Sequence, residues 1–265
     1  MSTRRESIKA SILHDLQSAD DKGSVVCLSG NWGCGKTHLW HEAASELCKD
    51  GERVVGYVSL FGIASLSEAR TAVFNALFLD RFAREAGDTR KTVTRFGIRV
   101  AQKLPAIFTE LVNSRLGGEI LTRNLDMSRL IPKRSVLCLD DLERISDTFP
   151  IRDALGYANH LAEQRGCRVL LIMNEEHLDE RFEAGQMGLI RAYRERVVTS
   201  HLRLETGFAD ALPHLKKPSS VDAATAALAT ATLERANCSN LRTLIRALEN
   251  IGRVQDLAKV RLAGC

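Results

Sequence analysis

The eight residues Gly30-Asn-Trp-Gly-Cys-Gly35-Lys36-Thr37 have the spacing G-x-x-x-x-G-K-[ST]. They stand between a β-branched apolar run, "VVCLSG", and a helical stretch, "KTHLWHEAASELC". A buried strand that ends in glycines and turns straight into a helix leaves few choices of fold. The glycines let the backbone curl until successive N–H groups converge, and the positive end of the helix dipole adds to that field. Such a turn suits phosphate. Lys36 is placed to reach the β- and γ-phosphates of a nucleotide, and the Thr37 hydroxyl to complete a Mg2+ shell. The candidate contact set is Gly30, Asn31, Trp32, Gly33, Cys34, Gly35, Lys36, Thr37 and His38. Trp32 is unusual inside such a loop; it either caps the phosphate site or packs the loop against the first helix. His38 and His41 come with no third ligand at metal spacing and read as ordinary helix residues.

A metal at this loop needs an acid opposite it. "SVLCLDDLER" delivers one, because its apolar residues form a strand that carries Asp140 and Asp141 to the carboxyl edge of a sheet. Asp140 is the candidate metal ligand, through a water, and Asp141 the candidate residue that orients or activates an attacking water. Adjacent carboxylates repel, and a divalent cation relieves the repulsion.

The remaining periodicity supplies the frame. Residues 5–18 read as an amphipathic helix, 53–62 as a second strand, and 65 onward as a helix opened by a Ser65/Glu68 capping box. Strand signals follow at 135–141, 168–174 and 197–204, with 153–164 the clearest intervening helix. Strands alternating with helices predict a parallel five-stranded sheet flanked by helices on both faces. Strand signals vanish after Gly207, so residues 1–205 read as the core and 206–265 as a small all-helical lid. A helical insertion is expected at about 80–133. There Lys91, Arg95, Arg99 and Lys103 recur every four residues beside an apolar stripe of Phe96, Val100, Leu104 and Ile107. One basic and one buried face result. The basic stripe is a solvated face by default; as a functional surface it would contact nucleic acid or an acidic effector protein.

At 265 residues and 45% hydrophobic, the chain can bury its own core without staples. Its seven cysteines show no CxxC pair or metal spacing, which suits a reduced, cytoplasmic setting. The first residues are charged throughout, unlike a secretory signal. No apolar run approaches the ~18 residues of a membrane span.

"GNWGCGKTH" followed by "VLCLDDLER" resembles the KAP family of P-loop NTPases, whose members pair a W-G-x-G-K-[ST] loop (Walker A) with an apolar run into D-D-L-[DE]-R (Walker B). That family belongs to the additional-strand group that includes the AAA+ and STAND ATPases. Many members are bacterial and linked to defence against phage. "YVSLFGIASLSEARTAVFNALF" and "AYRERVVTSHLRLE" look like further segments of such proteins, so the likeness spans roughly residues 5–250. The chain departs from the many members with transmembrane helices between the two motifs, since its segment 80–133 carries too many charges.

The resemblance implies three further positions. Asn174, closing "VLLIMN", matches the polar sensor-1 residue beside the Walker B strand; the alternative is a turn-forming asparagine. Arg194 and Arg196 in "AYRERVV" stand where related ATPases present an arginine finger to a neighbour, with Arg196 the candidate and a solvated basic helix end the alternative. Arg242 in "SNLRTLIRAL" matches a sensor-2 arginine on a lid helix whose other face would bury Leu241, Leu244, Ile245 and Leu248. The implied activity is Mg2+-dependent ATP hydrolysis coupled to conformational change or homo-oligomerisation. A STAND-like switch that holds ATP or ADP with little turnover is the second reading. A small-molecule kinase ranks behind both, because no acceptor pocket is evident.

Overall fold

A computed structural model describes residues 4–18, 22–49, 53–85, 131–181, 184–205, 223–236 and 240–262. Most of the expected insertion, with the stripe Lys91, Arg95, Arg99 and Lys103, lies outside the described residues.

Five strands form one parallel sheet: β1 (Ser24–Ser29), β2 (Val55–Ser59), β3 (Val136–Asp140), β4 (Arg168–Met173) and β5 (Ser200–Arg203), in the order β2-β3-β4-β1-β5. The apolar strands are continuous rather than alternating because both faces are covered. Val25 and Cys27 of β1, Leu137 and Leu139 of β3, and Val169 and Leu171 of β4 enter one core. Their neighbours Val26, Leu28, Val136, Cys138, Leu170 and Ile172 enter the other.

Helices α1 (Arg4–Gln17) and α2 (Lys36–Leu47) close the second core, with Ile12, Leu16, Leu39, Trp40 and Leu47 fully buried. Helices α3 (Leu66–Glu85) and α4 (Ile151–Arg165) close the first through Val73, Leu77, Leu155 and Leu161. The carboxyl end of α1 meets two arginines. Arg53 donates to Leu16 O (2.7 Å) and Gln17 O (2.8 Å), and Arg168 to Ser18 O (3.1 Å). Cations there satisfy carbonyls that a helix end leaves unpaired. At α3 the Ser65 hydroxyl accepts the Glu68 N–H (3.2 Å), while the Glu68 carboxylate accepts from Ala64 (2.9 Å), one residue before the expected partner.

The chain continues through α5 (Glu175–Arg181), α6 (Ala184–Val197), α7 (Ala223–Arg235) and α8 (Leu241–Leu262). Two expectations need correction. The fifth strand starts at Ser200 rather than 197, because Val198 N still donates to Arg194 O (2.8 Å) and extends α6. Ile245 is not buried behind α8. It is 40% exposed and faces the cleft described next. Among the described residues no helix is long and apolar enough to cross a membrane.

Candidate functional site

The sheet order sets β1 beside β4, and β4 beside β3, so the chain segments leaving all three strands meet at one edge. Open parallel sheets bind ligands at that edge. The turn after β1 is tight. Gly33 has φ +80°, and a Cβ there would stand 2.0 Å from Asn240 Oδ1 at the start of α8. A Cβ on Gly30 would stand 2.3 Å from Leu204 O. Gly35 takes the left-handed conformation and hands over to α2 at Lys36. The Lys36 ammonium donates to Gly30 O (2.6 Å), Asn31 O (3.0 Å) and, more weakly, Cys34 Sγ (3.9 Å), which keeps it folded over the loop. Cys34 is buried beneath the loop, and burial raises its thiol pKa so that the neutral form is kept.

Opposite the loop stands Asp140, the last residue of β3. Its Oδ2 accepts from the Thr37 hydroxyl (2.7 Å) and the Tyr57 hydroxyl (3.0 Å), and its Oδ1 from the Asp141 N–H (2.7 Å). Burial raises its pKa, against the lowering effect of these three donors. Burial and the facing Asp140 carboxylate push the Tyr57 phenol far up, so Tyr57 stays a donor. Asp141 has φ +60° and ψ +38°. For a non-glycine residue this conformation is disfavoured, though a short polar side chain tolerates it. Ser59 donates to its Oδ2 (2.7 Å).

A 3-10 turn, Leu142–Arg144, follows. Buried Glu143 accepts the Asn174 N–H (3.0 Å) and so joins the exits of β3 and β4; burial raises its pKa too. Asn174 is 2% exposed, and its Oδ1 accepts the Glu176 N–H (3.2 Å) at the start of α5. It therefore caps a helix and lines the cleft at once.

The cleft encloses about 490 Å³. Of the expected residues it brings together Trp32, Gly33, Gly35, Lys36, Thr37, His38, Asp140, Asp141, Asn174 and Arg242. Gly30, Asn31 and Cys34 build the loop without lining the cleft. Trp32 does not sit alone: the Arg242 guanidinium lies 5.5 Å from its ring centroid and the Arg144 guanidinium 5.3 Å, with His177 edge-on at 5.3 Å. Arg196 is exposed and lies away from the cleft. Arg194 is engaged within the chain by Glu175, which also stands 3.5 Å from His201.

Several lining or supporting residues escape a reading of the sequence. Tyr57 and Ser59 hold the two aspartates, and their only sequence signal is a polar pair two apart in an apolar strand. Glu143 and Arg144 are visible in "DDLER" but look like a solvated turn. Arg5, from α1, reaches the cleft while bonded to Glu42 (2.9 Å) and His38 (3.1 Å). Asn240 caps α8 by accepting from the N–H groups of Arg242 (3.1 Å) and Thr243 (3.2 Å).

A metal would find two donors here, Thr37 Oγ and Asp140. Among the described residues there is no cluster of three or more His, Cys, Asp or Glu side chains able to hold an ion. That donor set fits Mg2+, which is commonly bound by one or two carboxylates together with substrate phosphates.

The KAP family P-loop domain matches residues 5–254. No curated protein matches the sequence. Among solved structures, Cdc6p from Pyrobaculum aerophilum superposes with a TM-score of 0.50 at 15% identity, over 97% of this chain and 62% of that one. Domain III of the Thermotoga maritima replication initiation protein DnaA gives 0.50 at 13% identity, over 98% and 87%. NtrX from Brucella abortus, solved in complex with ATP, gives 0.50 at 12% identity, over 96% and 52%. The chain thus spans less than two thirds of the Cdc6p and NtrX chains. Likeness at identities this low establishes a shared fold alone.

Proposed function

Since this chain belongs to the KAP family of P-loop NTPases, we propose that its cleft binds Mg-ATP and hydrolyses it. One observation carries the reading: the Thr37 hydroxyl and the buried Asp140 carboxylate stand 2.7 Å apart beside Lys36, at the carboxyl edge of a parallel sheet. Loop amides and the start of α2 hold the phosphates, and Lys36 exchanges its bonds to Gly30 O and Asn31 O for phosphate oxygens. Thr37 and Asp140 hold the ion, which neutralises charge on the phosphates when bound. Asp141 orients the attacking water with a carboxylate held by the Ser59 hydroxyl. Asn174 positions the same water or the terminal phosphate, and Arg242 closes from the lid.

Residues 206–265 act as that lid, and Arg196, exposed and away from its own cleft, is available to a neighbouring copy in a homo-oligomer. Turnover then depends on assembly. A cytoplasmic setting, an effector protein or nucleic acid on the basic stripe, and a place in phage defence complete the reading.

A specific feature favours the second reading, a switch that binds ATP or ADP with little turnover. Both oxygens of Asp141 face a partner, Ser59 at 2.7 Å and Arg144 at 3.7 Å, which leaves less of the carboxylate open to an attacking water. Phosphate release and native mass with Mg-ATP decide, measured on the wild type, Lys36→Ala and Asp141→Asn. Hydrolysis expects loss of binding in the first variant and binding without turnover in the second. Tight binding without release by the wild type at every protein concentration makes the protein a switch.

A further inference from the structure

Arg144 is not among the phosphate and metal contacts named above, yet it lines the same cleft as Lys36 and Thr37. Its guanidinium carbon lies 3.8 Å over the centroid of the Phe61 ring and 5.3 Å from that of Trp32. Phe61 leaves β2 and is 59% exposed, with the guanidinium over its ring at the rim of the cleft. Its ion pair with Asp141 Oδ1, at 3.7 Å, is longer than a hydrogen bond. The ring contacts use no hydrogen-bond acceptor of the protein, so the N–H donors of the guanidinium can still be offered to an anion. A stacked guanidinium also has little rotamer freedom left to lose when it binds one.

Position says which anion. Lys36, Thr37 and Asp140 mark where the β- and γ-phosphates and their metal belong. Arg144 lies 3.7 Å from the carboxylate of Asp141, the residue assigned above to the attacking water, and so belongs to the γ end of the cleft. We infer that Arg144, held ready by Phe61 and Trp32, is a ligand of the terminal phosphate supplied from within the chain, and that it makes the cleft prefer nucleoside triphosphates over diphosphates. This rests on the reading that the cleft holds a nucleotide.

The test is equilibrium binding of a non-hydrolysable ATP analogue and of ADP, each with Mg2+, to the wild type, Arg144→Gln, Arg144→Lys and Phe61→Leu. Arg144→Gln is expected to weaken the analogue by about tenfold or more, the scale of one charge-assisted hydrogen bond, and ADP by less than about twofold. Arg144→Lys restores only part, because an ammonium offers neither the planar stack nor a paired edge. Phe61→Leu gives a smaller loss on the analogue alone, and because its guanidinium and fold are retained it guards against misfolding of the Arg144 variants. Equal losses on both nucleotides, or an unchanged preference in Arg144→Gln, overturn the inference. A wild type that binds neither nucleotide instead defeats the nucleotide reading itself.

Discussion

Replacing Gly33 by alanine tests whether α8 is docked on the phosphate loop. The new Cβ would meet Asn240 Oδ1 at 2.0 Å, in a backbone conformation with φ +80°. Left-handed strain costs an L-residue about 1–2 kcal/mol. Relief of the clash requires Asn240 to turn away, and that gives up its two bonds to the N–H groups of Arg242 and Thr243. Loss of such an N-cap costs about 1 kcal/mol. Gly33→Ala should therefore destabilise by about 2–3 kcal/mol, and Asn240→Ala alone by about 1 kcal/mol. In the double variant the cap is lost only once, so the total should stay near 2–3 kcal/mol, about 1 kcal/mol short of additivity. Urea denaturation of the four proteins measures this cycle. Additivity to within about 0.3 kcal/mol would mean that the two residues do not touch, and the lid would lose its anchor on the loop.

Three other outcomes follow from the site. Ser59→Ala removes the hydroxyl bonded to Asp141 Oδ2 and should lower the rate of phosphate release about tenfold or more, with nucleotide affinity unchanged; a proportional loss of affinity contradicts that role. His201 accepts or donates at Ser29 Oγ (2.9 Å), and burial lowers its pKa, with Glu175 opposing and Arg194 and Arg203 assisting. The unfolded chain then binds the extra proton first as pH falls, so stability should rise with pH between the lowered value and about 6.5, the ordinary histidine value. His201→Asn should flatten part of that slope in urea titrations, and a slope unchanged by the substitution refutes the assignment. Gly56→Ala would place a Cβ 2.8 Å from Leu77 Cδ2, and this overpacking should destabilise by about 1 kcal/mol in thermal or urea melts; no change means that Leu77 moves freely.

What could be read from sequence alone divides by how local its cause is. The loop from Gly30 to Thr37 and the run into Asp140 are written in consecutive residues, so strand, turn and helix declare themselves. The parallel sheet follows from the alternation of strand and helix patterns. The support for the acids does not. Tyr57 and Ser59 matter because β2 pairs with β3 in a register that sets Ser59 against Asp140, and no short stretch encodes that pairing. Glu143 and Asn174 meet only because β4 inserts between β3 and β1. Ile245 and Arg242 are both exposed on α8 and both line the cleft, because the start of that helix sits against Gly33. Arg5 arrives from a helix that precedes the whole sheet. The partner of Arg194, Glu175, likewise becomes visible only once α6 packs beside α5.

The central claim is that the turn after β1 grips a triphosphate through its amides and Lys36. Calorimetric titration of the wild type and Lys36→Ala with Mg2+ and a non-hydrolysable ATP analogue tests it most directly. The account predicts saturable one-to-one binding by the wild type and a loss of about tenfold or more in the variant. Equal affinity in the two proteins, or no binding by either, would contradict it.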